Sequence, residues 1–205
     1  MYIYSDQQSV QENYKLLMGS VVPRPIAFVT SINEDGVINA APFSFYNIVS
    51  NDPPIVMFSA GREKGGKMKH TVTNIIENKE FVVHVVDQEN LEQANHTAID
   101  APKGVSEVEL ASLTTIPGES VSVPRIVESK IAMECVLHQH IELQNKNGNV
   151  NFDMVLGEVK CFYIEDDIYY DGKINIEKLN PIGRLAGPGY CYLGESFRIS
   201  RPKYK

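Results

Sequence analysis

Short apolar runs separated by turn residues dominate the first third of the chain and predict β-strands. Residues 25–31 (PIAFVTS) are apolar and β-branched, which predicts a strand buried on both faces. Residues 33–36 end in Asp-Gly, a pair that accommodates the positive φ angles of a tight hairpin. Residues 37–41 are therefore predicted to return antiparallel. Residues 54–59 predict a third strand, entered through the Asp-Pro-Pro corner at 52–54, where proline restricts φ.

Residues 68–79 change to helical spacing of apolar positions. The positions that fit this helical period are Met68, Val72, Ile75, Ile76 and Lys79, and the predicted solvent side carries Asn74, Glu77 and Asn78. Residues 80–86 predict another strand, and residues 88–99 have moderate helical character. Residues 104–114 fit neither period.

The second half of the chain contains two long strand-like runs, residues 130–143 and 151–164. An Asn-Gly pair within residues 145–149 joins them and predicts a hairpin. Residues 169–172 resemble a strand end and turn, and residues 175–179 one helical turn. About seven or eight strands arranged as hairpins, with two or three short helices, predict a mainly β antiparallel barrel rather than a doubly wound fold.

Composition and charge agree with this fold and indicate the number of domains and the kinds of partner. The 205 residues are 43% hydrophobic and show no repeat or linker, so one domain over residues 1–205 is predicted. The net charge of -7 argues against nucleic acid and anionic membranes as main partners, although a local basic pocket remains compatible with a small anionic ligand. The N-terminus lacks the pattern of a secretory signal, and no apolar run is long enough to span a bilayer.

The three cysteines are odd in number and widely spaced, which argues against a disulfide framework or a CxxC metal site. Reduced cysteines in a cytoplasmic protein are the simpler expectation. His138 and His140 share a strand face with Glu134, but the sequence offers no further ligands at a recognisable spacing. No metal is therefore predicted. His84, within an apolar strand, is predicted to be buried and hydrogen-bonded.

Residues 61–71 (GREKGGKMKHT) carry three glycines and four cationic side chains between a strand and a helix. The start of a helix favours an anion, which Arg62 could bind with two parallel hydrogen bonds and Thr71 with its hydroxyl. A solvated basic loop is the open alternative. A Walker A loop is rejected, because Met68 stands where the magnesium-binding hydroxyl would be and the setting is antiparallel.

Four stretches occur together in a recognisable order: residues 22–31, residues 39–47 with 52–54, residues 69–75, and residues 156–159 with 181–190. Over about residues 21–192 they resemble the flavin reductase-like family of FMN-binding split barrels. The resemblance implies an antiparallel split β-barrel with a few short helices, usually a homodimer that binds FMN near the subunit interface. It also implies hydride transfer from NADH or NADPH to flavin, or electron transfer through a bound flavin.

The resemblance also implies where the cofactor lies. It places Thr30 and Ser31 near the isoalloxazine ring, places Asn39, Ala41, Pro42, Ser44, Phe45, Tyr46 and Asn47 along the ring and ribityl chain, and assigns the phosphate to Ser59, Arg62, Lys69 and Thr71. His70 departs from the family, which often has an acidic residue there. Independently of the family, backbone N–H groups beside Pro42 suit the pyrimidine edge of a flavin. Phe45 and Tyr46 could cover the ring or pack the barrel.

Two arginines carry open alternatives. Arg24 lies between two prolines, which force an extended backbone, so it could reach a flavin carbonyl or phosphate or form a surface or interface ion pair. Arg184 and Tyr190 lie in a glycine-rich loop that could close over the site, from the same or the partner subunit.

The sequence therefore favours an FMN-binding, NAD(P)H-dependent flavin reductase, for which no catalytic residue is assigned. An FMN-carrying electron-transfer protein without its own nicotinamide site, and a non-catalytic barrel whose flavin pocket has decayed, are the alternatives. Small-molecule flavin and nicotinamide are the expected partners, with a second copy of the chain.

Overall fold

A seven-stranded antiparallel sheet forms the centre of the computed structural model, which describes residues 1–204. The strands are β1 Ala27–Ile32, β2 Ile38–Phe43, β3 Tyr46–Asn51, β4 Pro54–Gly61, β5 Glu80–Val85, β6 Thr115–Ile116, β7 Arg125–Ile126, β8 Ile131–Gln144, β9 Val150–Ile164, β10 Tyr169–Tyr170, β11 Lys173–Ile174, β12 Ile182–Arg184 and β13 Tyr190–Tyr192. The large sheet has the order β2-β1-β5-β8-β9-β4-β3, and the pairs β6-β7, β10-β11 and β12-β13 lie outside it.

Within the described part of the chain, five short α-helices accompany the strands: α1 Val10–Ser20, α2 His70–Asn78, α3 Leu91–His96, α4 Glu107–Leu110 and α5 Ile176–Leu179. The periodicity did not predict α1, because its apolar residues form no single buried stripe and only Met18 is buried. A capping box between Ser9 and Glu12 defines where α1 begins. Sequence residues 104–114, which fitted neither period, contain α4.

Both predicted hairpins are confirmed, and the same chemistry forms them. The Asn33 side chain accepts hydrogen bonds from the N–H groups of Asp35 and Val37, and Gly36 adopts φ +80°. In the β8-β9 hairpin the Asn145 side chain plays the same part, and Gly148 adopts φ +79°. Positive φ is the backbone conformation that glycine tolerates without steric cost.

The sheet curls so that β2, at one end, contacts β4, the second strand from the other end. Phe43 on β2 contacts Phe58 on β4, with ring centroids 4.7 Å apart, although β2 and β4 are not hydrogen-bonded neighbours in the sheet order. Phe81 fills the interior, and Gly157 on β9 lets its ring approach, since a Cβ at Gly157 would lie 2.2 Å from it. The predicted antiparallel, mainly β architecture is confirmed.

Helix α2 packs against β1, β2 and β8, but one predicted position on it is wrong. Val72 and Ile75 are fully buried in the core, as expected. Asn74, predicted to face solvent, is only 6% exposed and donates a hydrogen bond to the Ser31 hydroxyl at 3.1 Å. A buried amide is stable when it has a polar partner, which helical periodicity alone does not reveal.

His84 on β5 is buried and hydrogen-bonded, as predicted. Its Nε2 accepts the backbone N–H of Ile126 at 2.9 Å, so Nδ1 carries the proton and donates to the Phe28 carbonyl at 2.9 Å. Burial lowers the pKa of His84 to about 4. The neutral ring thus joins β1, β5 and β7.

Candidate functional site

Two neighbouring cavities lie beside strand β2 and share Pro42 and Ala98 in their walls. The first, of about 130 Å³, lies between β2, the start of α2 and the segment that follows α3. The second, of about 210 Å³, lies between α1, α3 and the loop that joins β12 to β13. We call them the β2-α2 cavity and the α1-α3 cavity.

Strand β2 and helix α2 supply most of the predicted residues of the β2-α2 cavity. Asn39, Ala41 and Pro42 come from β2, and Lys69 and Thr71 from the start of α2. The Asn39 amide donates to the Thr71 hydroxyl at 3.2 Å, which ties the strand to the helix. Five residues predicted from sequence therefore meet at one concave site.

The start of α2 provides backbone donors for an anion. No side chain caps this helix. The Lys69 carbonyl accepts from the N–H groups of Val72 and Thr73, and the preceding N–H groups of His70 and Thr71 stand at the open end of the helix. With the positive end of the helix dipole, these groups favour a phosphate.

Lys69 is paired with carboxylates at this site. Its Nζ lies 2.7 Å from Asp100 Oδ1 and 3.5 Å from Glu63 Oε1. Burial acts to lower the pKa of Lys69, but the hydrogen bonds and attraction from Asp100 and Glu63 together outweigh it and raise the pKa. The Asp100 side chain is 82% exposed, and an ion pair with so exposed a partner is weak enough to exchange for a ligand phosphate.

Glu107 on α4 also lines the β2-α2 cavity and was not predicted. It is buried, and one carboxylate oxygen accepts the backbone N–H of Ala40 at 3.3 Å. Burial raises its pKa, although hydrogen bonds from the backbone oppose that shift. The sequence signal was slight: Glu107 is an acidic residue in a largely apolar stretch.

The α1-α3 cavity contains Arg24, Ser44, Arg184 and Tyr190. Backbone hydrogen bonds between Arg24 and Arg184 run in both directions, so the loop after β12 is fixed against residues 23–25. The glycine-rich loop therefore lines a cavity in its own chain.

Residues 18–177 match the family described as the flavin reductase like domain. The chain belongs to the flavin reductase-like family. An uncharacterised protein of Halalkalibacterium halodurans is 46% identical over 202 residues, 98% of this chain and 97% of that one. Nitrilotriacetate monooxygenase component B from Bacillus cereus is 44% identical with a TM-score of 0.94, covering 97% of this chain and 98% of its own.

Two further structures are similar to this flavin reductase-like protein. The 2-nitrobenzoate 2-nitroreductase NbaA of Pseudomonas fluorescens is 33% identical with a TM-score of 0.88, covering 98% of this chain and 96% of its own. A split-barrel protein of Shewanella frigidimarina has a TM-score of 0.83 at 18% identity, covering 98% of this chain and 100% of its own. The predicted split-barrel fold is confirmed.

Arg62 lines neither of the two cavities. Its Nε and Nη2 donate to the two carboxylate oxygens of Asp153, at 2.9 and 2.8 Å, and Nη2 also contacts Glu142. The side chain of Asp153 is 1% exposed and also bonds His140 at 2.9 Å. This placement argues against the predicted phosphate role of Arg62, because a buried carboxylate already occupies its bidentate edge.

Six other predicted residues also lie outside the two cavities in the described chain: Thr30, Ser31, Phe45, Tyr46, Asn47 and Ser59. Thr30 is buried and donates to the Pro124 carbonyl at 2.9 Å. The Phe45 ring stacks on Phe152, and Tyr46 packs against the core, which favours the packing alternative for both residues. Asn47 is exposed.

The Glu134, His138 and His140 set does not come together as one face. The β8-β9 register shifts on either side of Leu137, which breaks the simple alternation assumed for this strand. Glu134 accepts the backbone N–H groups of Glu119 and Ser120.

None of the helices in residues 1–204 is both long and apolar enough to cross a membrane.

Proposed function

We propose that the protein binds FMN in the β2-α2 cavity and acts as an NADH- or NADPH-dependent flavin reductase. One observation carries the proposal: the open start of α2, with Lys69 and Thr71, meets β2 residues Asn39, Ala41 and Pro42 around one cavity. An anion site beside a stiff, largely apolar strand suits a ligand that joins a phosphate to a flat ring system.

The phosphate would lie at the start of α2. The N–H groups of His70 and Thr71, the Thr71 hydroxyl and the Lys69 ammonium supply neutral and charged donors there. Asp100 gives up its exposed pair with Lys69 when the phosphate binds. Because His70 stands where the family often has an acidic residue, the local charge at the start of α2 is less negative.

The ring would lie along Ala41 and Pro42, towards the α1-α3 cavity. Flavin, when bound, supplies the chemistry of accepting a hydride and passing electrons on. The residues of this chain bind and orient it: Pro42 stiffens the segment that presents backbone N–H groups, and the buried Asn39 holds β2 against α2. Hydride transfer between two aligned rings needs no acid or base from the protein.

The comparisons support flavin-linked redox chemistry rather than simple flavin binding. One structure, at 44% identity, is named as a component of a monooxygenase, and another, at 33% identity, as a nitroreductase. Both names fit a chain that delivers electrons, which favours the reductase over a decayed, non-catalytic barrel.

The active form is proposed to be a homodimer. Ile48 and Val49 lie on β3, an edge strand of the sheet, and are 74% and 51% exposed. Neighbouring apolar side chains on an exposed edge favour pairing with another chain. Asn47 adjoins this patch, so a partner there would bring residues 45–47 close to an interface.

Titration of flavin-free protein with FMN, followed by flavin fluorescence, tests the binding site. We expect Lys69→Ala to weaken FMN binding about tenfold or more, because it removes a charge-assisted hydrogen bond of about 1.5–3 kcal/mol. Lys64→Ala, in the exposed part of the same loop, is the matched control and should leave the affinity unchanged.

NADH and NADPH oxidation in the presence of FMN tests the activity. We expect the protein with FMN to oxidise NADH, NADPH or both faster than free FMN does without the protein. Equal losses of FMN affinity in Lys69→Ala and Lys64→Ala would contradict the phosphate site. Bound flavin that dithionite reduces but neither nicotinamide does would select the electron-transfer alternative.

A further inference from the structure

The α1-α3 cavity has a positive charge that the proposed cofactor site does not use. Arg24 and Arg184 both line it, and among the described residues in its wall none is acidic. The chain as a whole has a net charge of -7, so this cavity opposes the overall charge of the molecule. Such a local field attracts an anionic ligand.

Arg24 is a buried cation whose acceptors are all neutral. It is 6% exposed, and its guanidinium donates to the carbonyls of Met18, Val21 and Leu185 at 2.8–3.3 Å, with a longer contact to Ser44 Oγ at 3.5 Å. A guanidinium has five N–H donors, so these four contacts leave one donor. Carbonyls fix its position, but within residues 1–204 its charge has no carboxylate partner.

Arg184 is held by stacking rather than by an ion pair. Its guanidinium carbon lies 4.4 Å from the centre of the Tyr190 ring, and Nη2 donates to the Gly187 carbonyl at 2.7 Å. The Tyr190 hydroxyl in turn donates to Asn95 Oδ1 at 2.8 Å, which fixes the ring. Stacking leaves the edge of the guanidinium free for a planar anion such as a carboxylate.

The rest of the wall suits an aromatic ring. Its apolar part is formed by Ile26, Pro42, Val86, Leu91, Ala94 and Tyr14. A volume of about 210 Å³ is below the range of about 300–1,000 Å³ that is typical for drug-sized ligands, so it suits a single substituted ring. Pro42 also lines the β2-α2 cavity, which places this ring beside the proposed flavin.

We propose that the α1-α3 cavity binds an aromatic carboxylate, with the carboxylate on Arg184 and Arg24 and the ring against the apolar wall. The assignment rests on the proposed function, because it makes this compound a small molecule that meets the flavin in addition to the nicotinamide donor. It specifies a class of ligand that the family resemblance does not assign to this chain.

Calorimetric titration of FMN-loaded protein with benzoate and with benzamide tests this assignment. Benzamide has the same ring and nearly the same shape without the charge. We expect benzoate to bind at least about tenfold more tightly than benzamide, as follows from charge-assisted hydrogen bonds. Arg184→Gln should remove most of this preference, whereas Arg198→Gln, at an exposed position in the C-terminal segment, should retain it.

The outcomes separate this proposal from the proposed function. Equal affinity for benzoate and benzamide, or a preference that survives in Arg184→Gln, overturns the carboxylate site. If inorganic phosphate binds as tightly as benzoate, the cavity does not recognise an aromatic ring, and that part of the proposal is overturned. Failure of the wild-type protein to take up FMN would instead refute the cofactor site, and benzoate titration of the flavin-free protein would then test the arginine cavity by itself.

Discussion

The hydrogen-bond partner of Arg62 could not be inferred from the residues around it in the sequence. Its position in a glycine-bearing basic loop predicted a phosphate contact, yet its guanidinium binds Asp153 across the β8-β9 hairpin. The partner is 91 residues away in sequence, so no local pattern could indicate it. Burial acts to raise the pKa of Asp153, but the hydrogen bonds from Arg62 and His140 outweigh it and lower the pKa. Arg62 is thus expected to stabilise the fold rather than bind the cofactor.

Arg62→Ala is expected to lower the free energy of unfolding by about 3 kcal/mol, because it leaves the buried Asp153 carboxylate without its main partner. FMN affinity should stay within about twofold of the wild type. Urea denaturation and FMN titration measure the two quantities.

Adding Asp153→Asn to Arg62→Ala is the control for this mechanism. The double variant should recover part of the lost stability, because no buried charge remains unpaired. An Arg62→Ala protein of unchanged stability but much weaker FMN affinity would return Arg62 to the phosphate site.

At the scale of elements, buried polar side chains link strands and helices, and these contacts cannot be recognised from any one element alone. His84 joins β1, β5 and β7 through backbone groups of Phe28 and Ile126. Asn39 joins β2 to α2 through a hydrogen bond from its side-chain amide to the Thr71 hydroxyl. These polar links hold neighbouring elements together. The sequence indicated His84 as a buried polar residue in an apolar run, whereas the family resemblance implied a flavin-lining role for Asn39.

His84 should make the fold less stable in acid. Its folded pKa is about 4 and its ordinary pKa 6.5, so between these values the unfolded chain binds the proton and the folded chain does not. The unfolding free energy is therefore complete above pH 6.5 and falls as the pH drops to 4, by about 3 kcal/mol in total from this residue.

Urea unfolding of the wild type and of His84→Gln, at pH 7 and pH 4.5, measures this contribution as the difference between their pH dependences. His138→Gln, at an exposed histidine, is the matched control and should keep the wild-type dependence. Ring NMR signals of His84 should not titrate above about pH 5. Titration near pH 6.5 would contradict the buried, neutral ring.

At the scale of the whole molecule, the exposed apolar edge is the feature that most needs an explanation. Ile48 and Val49 lie on β3, and several apolar residues of α1 are also exposed. Exposed patches of this kind mark interaction surfaces when they are contiguous. A second copy of the chain is the partner proposed for the β3 edge.

Ile48→Lys is expected to convert the proposed dimer into monomers, because a charge on an apolar edge strand opposes pairing. Size-exclusion chromatography with light scattering measures the molar mass. Val127→Lys, at another exposed apolar position, should leave the assembly unchanged. A wild-type protein that is monomeric at all concentrations would rule out this interface.

The sequence by itself determined the antiparallel hairpins and the buried His84, which follow from turn residues that accept positive φ and from a polar residue within an apolar strand. The meeting of β2 with the start of α2 was implied by the resemblance to the flavin reductase-like family. Tertiary structure decided the partners of Arg62 and Asn74, the burial of Glu107 and the pairing of Arg24 with Arg184 around one cavity. These depend on which distant segments the folded sheet brings within hydrogen-bonding distance, and the pattern along the chain does not contain that information.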